Sequence, residues 1–143
     1  MKYFSIDEMV HSAVAVANGI DNSPSDDIRA NLTLFIETVL DPIREGWGGP
    51  VSVSSGYRCP ELNKAVGGAK NSGHQYGFCA DLQVSGGIKR VRELYDFIYQ
   101  FLIRNHMKFD ELLFEKSGGV TWIHFAWIGK DGKQRMKKFD IVK

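Results

Sequence analysis

Two short β-prone runs constrain this chain more than any other feature. Phe78-Cys-Ala-Asp-Leu-Gln-Val84 reads as a brief strand, and Val120-Thr-Trp-Ile-His-Phe-Ala-Trp-Ile128 is rich in aromatic and β-branched residues. Each carries an ionisable side chain in its interior, Asp81 in the first and His124 in the second. His74 precedes Asp81 in Ser72-Gly-His-Gln-Tyr-Gly77, where Gly77 permits a tight backbone turn at little steric cost. Two imidazoles and one carboxylate suit a catalytic zinc, which takes three protein ligands and keeps a fourth position open for water. One ion is expected. Taken singly, His74 and Asp81 could be a loop histidine and a turn aspartate, and His124 a half-buried ring bonded to a carbonyl. The metal reading accounts for all three together.

The remaining pattern frames these runs. Ser5-Ile-Asp-Glu8 is a capping box that predicts a first helix of about a dozen residues, ending near Asn18-Gly19. A second helix should start after Asp21-Asn-Ser-Pro-Ser25 and put Ile28, Leu32, Phe35, Ile36, Val39 and Ile43 on one face, with Pro42 kinking or restarting it. Gly46-Trp-Gly-Gly-Pro50 breaks the chain before a strand at Val51-Ser-Val-Ser54, and a short helix is expected from Pro60 to Val66. A third long helix spans about Ile88 to Arg104, with Val91, Leu94, Tyr95, Ile98, Phe101 and Leu102 facing inward. From Glu111 onward the pattern is of strands, with Lys130-Asp-Gly-Lys133 as a hairpin turn.

Several motifs occur in an order that resembles a known family. They are Ser55-Gly-Tyr-Arg58-Cys-Pro60, Asn63, the Gly67-Gly68 pair, Ser72-x-His74-x2-Gly77-x2-Ala80-Asp81 and Trp122-x-His124. The chain from about Leu40 to Phe125 resembles the zinc D-alanyl-D-alanine carboxypeptidases. That family includes phage cell-wall endopeptidases and the D-Ala-D-Ala dipeptidases of vancomycin resistance, and shares its fold with the hedgehog signalling domain. The resemblance implies an α+β fold, with a small antiparallel sheet that carries the zinc site and packs against three main helices.

A peptidase also needs a base for its water and a cation for the charge that develops on the scissile carbonyl. In several branches of the family an acid three residues before the last histidine is the base. Here that position is Thr121. Glu115, at the end of Phe109-Asp-Glu-Leu-Leu-Phe-Glu115, takes the role if Ser117-Gly-Gly119 turns the strand back beside His124. Its carboxylate is then expected within about 5 Å of the zinc or its water. Asp110 and Glu111 are weaker candidates, Asp110 as a group that caps or orients the loop. Arg58 is the expected cation, a fork of donors suited to a carbonyl, an oxyanion or a terminal carboxylate. Ser72 is expected to bind substrate or to orient His74.

The function implied is a zinc metallopeptidase acting on peptidoglycan stem peptides at D-alanine-containing bonds, as a carboxypeptidase or an endopeptidase. Relatives with the Phe-Asp-x-Leu run and Trp-x-His look like phage and prophage members, which suggests a lysin. Two alternatives stay open: a zinc-binding hedgehog-like module without catalysis, kept alive by Thr121, and a dipeptidase acting on free D-Ala-D-Ala.

Composition narrows the rest. With 143 residues, 43% of them hydrophobic, the chain can bury one core as a single domain over residues 1–143. A net charge of +1 creates no long-range field favouring nucleic acid. No apolar run approaches the roughly 18 residues of a membrane span. Met1-Lys-Tyr-Phe-Ser5 lacks the apolar core of a signal peptide, so synthesis in the cytoplasm and action on the cell wall after release are expected, as a monomer. Cys79 shares a strand face with Asp81 and reads as a packing residue. His11 and His106 read as surface or cap groups, and the five basic residues between Lys130 and Lys138 as a solvated hairpin.

Overall fold

The computed structural model describes residues 1–143. Its N-terminal helix starts where the capping box places it, with Ser5 Oγ accepting from the Glu8 amide at 3.1 Å. It runs only over Ile6–Val10 (α1) before a second helix, Ala13–Ala17 (α2), begins. The break has two causes. Ser12 Oγ accepts from the Ala15 amide at 3.2 Å and so caps a new helix. The Met9 carbonyl, which a continuous helix would pair four residues on, instead accepts from the Tyr57 amide at 2.7 Å. His11 lies between the two helices with an extended ψ of 134°.

Helix α3 (Asp26–Phe35) is capped by Ser25 and passes through a π-helical turn at Ile36–Leu40 into α4 (Asp41–Trp47). Pro42 explains the widened turn, because it lacks the N–H that would continue the regular ladder. The predicted stripe faces the core: Leu32, Phe35, Ile36, Val39 and Ile43 are buried. Helices α5 (Pro60–Ala65) and α6 (Gly87–Arg104) lie where the sequence placed them.

Five strands, β1 (Ser52–Ser55), β2 (Cys79–Gln83), β3 (Glu111–Ser117), β4 (Val120–Ala126) and β5 (Lys137–Val142), form one sheet in the order β1-β2-β4-β3-β5. The fold is α+β, as expected, with one refinement. The first four strands pair antiparallel, but β5 runs parallel to β3, so the sheet is mixed. The Lys130–Lys133 turn does form, closed by the Gly129 amide on the Lys133 carbonyl at 2.9 Å. The chain after it cannot return beside β4, because β2 and β3 already occupy both edges of that strand. It adds instead at the outer edge of β3, and β1 keeps the opposite edge of the sheet.

Strand alternation divides the sheet. Ala80, Leu82, Leu112, Phe114, Ile123 and Phe125 join the core with α6. In register on the other face stand Asp81, Leu113 and His124, flanked along their strands by Cys79, Glu111, Glu115 and Trp122.

Candidate metal centre

His74 sits on a 3-10 turn, Gly73–Gln75, whose first residues are held by Ser72 Oγ accepting from the His74 amide at 3.2 Å. The ring donates from Nδ1 to the Gly56 carbonyl at 2.7 Å. This contact sets the tautomer and turns the Nε2 lone pair toward the sheet. Gly56 is required for it, since a Cβ there would collide with the Met9 carbonyl. Gly77 closes the turn at φ +87°, with Asn31 and the Ile28 carbonyl too near for a side chain.

Asp81 and His124 face each other across β2 and β4. Asp81 Oδ1 lies 3.3 Å from His74 Nε2 and 3.1 Å from His124 Nδ1, so the carboxylate bridges the two imidazoles. The three sequence-predicted ligands are therefore neighbours. The most compact donor sets, however, include two further residues. The donor atoms of His74, Cys79 and His124 lie within 4.8 Å of one another, as do those of Asp81, Glu115 and His124. Either set is of a kind that can hold a metal.

Cys79 is buried, as a packing residue should be, yet its Sγ lies 3.6 Å from His124 Nε2. The same nitrogen is 3.4 Å from Glu111 Oε1. Glu111 thus touches the site from the side opposite Asp81, a contact the sequence reading underrated. Its signal was available: Glu111 and Glu115 are both two residues from Leu113, the partner of His124, and so share its face. Asp110 points elsewhere and accepts from the Arg135 amide at 3.1 Å, orienting the loop before β5. Thr121 lies an odd number of residues from His124 on β4, so its side chain belongs to the opposite face.

The charges are strongly coupled. Burial alone would lower the pKa of His74, but the Cys79 thiolate and the Asp81 carboxylate outweigh it and raise it to about 9. His124 is raised well above its ordinary value against the same burial penalty, by Cys79, Asp81 and Glu111. Burial would raise Asp81, yet hydrogen bonds from His124 and His74 hold it well below the usual carboxylate range. Burial would raise Cys79 as well, and the two imidazoles bring it down to about 7. A group of bases that holds protons this firmly is also a group that would hold a cation, which binds the same lone pairs.

A cleft of about 520 Å³ opens on one side of the cluster, lined by Asp81, Ser55, Tyr57 and Arg58. Arg58 is half-buried, makes no ion pair, and leaves its Nε buried without a partner. Its amide donates to the His74 carbonyl at 2.9 Å, which ties the two residues together. His11 also lines this cleft, because the break between α1 and α2 places it there rather than on a helix surface. The second serine, Ser12, was the overlooked signal.

The family profile of Peptidase M15 matches residues 2–117. The chain belongs to that family, the zinc peptidases that include enzymes of the D-Ala-D-Ala carboxypeptidase type. The match ends before His124, whose place beside His74 and Asp81 comes from the sheet register. No curated protein matches the chain. No helix is long and apolar enough to cross a membrane.

Proposed function

We propose that the chain is a single zinc-peptidase domain that hydrolyses peptidoglycan stem peptides at D-alanine-containing bonds, as a lysin acting on the cell wall. His74, Asp81 and His124 would hold one zinc ion. Their donor atoms face one another, and each imidazole has a partner on its other nitrogen, the Gly56 carbonyl for His74 and Glu111 for His124. When bound, zinc supplies a Lewis acid that polarises a carbonyl and makes water acidic near neutral pH.

The chain's own groups divide the remaining work. Glu115 takes the proton of the attacking water and returns it to the leaving amine. Arg58 donates to the carbonyl oxygen as negative charge grows there. Ser72 keeps His74 in place through its accepted hydrogen bond, and its hydroxyl proton remains free for substrate. The observation that carries this reading is the convergence of Glu115 with Asp81 and His124, whose ligand atoms lie within 4.8 Å of one another. It supplies an acid where Thr121 cannot.

One observation favours a second reading. If Cys79 joined His74, Asp81 and His124 as a fourth donor, the set would be closed to water, as in structural zinc sites. The chain would then be a binding module. Incubating zinc-loaded protein with muropeptides and with free D-Ala-D-Ala, followed by mass spectrometry, separates these readings. Cleaved stem peptides are expected. Release of alanine from the free dipeptide alone would mark a dipeptidase, and intact substrates with full zinc would mark the module.

A further inference from the structure

We propose that a second cleft, on the far side of His124 from Arg58, receives a carboxylate-bearing segment of a peptide that spans the site. The substrate is then cut internally and not trimmed from a free end. This rests on the peptidase reading of the same centre.

The imidazole of His124 stands between two openings. Its Nδ1 faces Asp81, which lines the first cleft, and its Nε2 faces Glu111, which lines the second. The second cleft has a volume of about 300 Å³ and is also lined by Asp110, Lys130, Arg135 and Lys137. Three of the five basic residues that read as a solvated hairpin are therefore gathered beside the metal centre. Arg135 is already engaged, donating to Asp110 at 3.0 Å and to Asp131. Lys130 and Lys137 form no salt bridge with a carboxylate of the chain, although Lys137 lies near enough to Glu111 to help lower its pKa.

Both lysines are held by backbone contacts. Lys137 is the register partner of Glu111 on β3, and its amide donates to the Asp110 carbonyl at 2.9 Å. Lys130 belongs to the turn that Gly129 and Lys133 close. Two exposed ammonium groups carried on a fixed backbone beside a peptide cleft, neither in a salt bridge, suit a carboxylate on the substrate. A substrate that ended at the metal would need one cleft, whereas here each side of His124 has its own. Hydrolysis then places the water's hydroxyl on the acyl carbon in one cleft and its proton on the amine in the other.

The test uses zinc-loaded protein and two peptides blocked at both ends, carrying a neutral fluorophore and either one glutamate or one glutamine. Fluorescence anisotropy should show the glutamate peptide binding about fivefold tighter, the scale of an exposed ion pair. The preference should shrink as salt rises and vanish in the K130Q/K137Q variant. Equal binding of the two peptides by the unmodified protein overturns the proposal without recourse to any variant. So does a preference that survives in K130Q/K137Q, or cleavage confined to peptides with a free C-terminus. If the preference appears but no peptide of any kind is hydrolysed, the peptidase reading falls and the carboxylate site stands.

Discussion

The two faces of β4 obey different rules although they alternate along one strand. Ile123 and Phe125 point into a core where neither has any solvent exposure. Trp122 and His124 point the other way, among carboxylates, a thiol and a second imidazole. The core face is held by apolar burial and tolerates no lost volume. On the opposite face the groups repel, pair and share protons, and their arrangement costs stability that the core must offset. The sheet thus lets one seven-residue strand, Val120–Ala126, build both the scaffold and the chemistry.

That contrast can be broken most sharply with two neighbouring substitutions. Phe125→Ala should cost about 3–5 kcal/mol of stability, while His124→Ala should keep the fold and lose the metal, since two remaining ligands hold zinc poorly. Thermal unfolding and metal analysis of the two purified variants read this directly. Full zinc occupancy in His124→Ala would remove the basis of the site.

A smaller effect separates groups within the site face. Glu115→Gln should retain zinc and lower turnover about 1,000-fold, the range of a lost general base, while Thr121→Val on the opposite face should leave turnover unchanged. Steady-state kinetics on a stem peptide decide this, and near-normal activity of Glu115→Gln would end its assignment. Arg58→Ala should keep both fold and metal and reduce kcat/KM about 100-fold. Lysine at 58 should restore little, because a point charge does not replace a bidentate fork. Wild-type rates in Arg58→Ala would leave it a wall of the cleft.

The mildest test is of pH. His74 carries a proton below about pH 9 in the metal-free protein, and the metal must displace it. Apparent zinc affinity should therefore rise with pH up to about 9, by about tenfold per pH unit for the His74 proton, with the raised His124 adding to the slope in the same direction. Competition titrations against a chelator between pH 6 and 9 measure the slope. A flat profile would mean that His74 binds no metal.

Much of this was legible in the chain itself, because helix caps, apolar periodicity and strand alternation act over a few residues. The Ser5 cap, the Leu32–Ile43 stripe, α6 and the two β runs that carry Asp81 and His124 all follow from local chemistry. The motifs sufficed to suggest the family. What they lacked was distance. The split of the first helix depended on Tyr57 taking the Met9 carbonyl, a contact across 48 positions. The parallel course of β5 depended on which sheet edge was still free. Glu111 and Cys79 were on the correct strand faces in the sequence, yet only the pairing of three strands brought both to one nitrogen of His124. Residue order sets which side of a strand a group occupies, whereas long-range pairing, and the edges it leaves open, decides which groups meet.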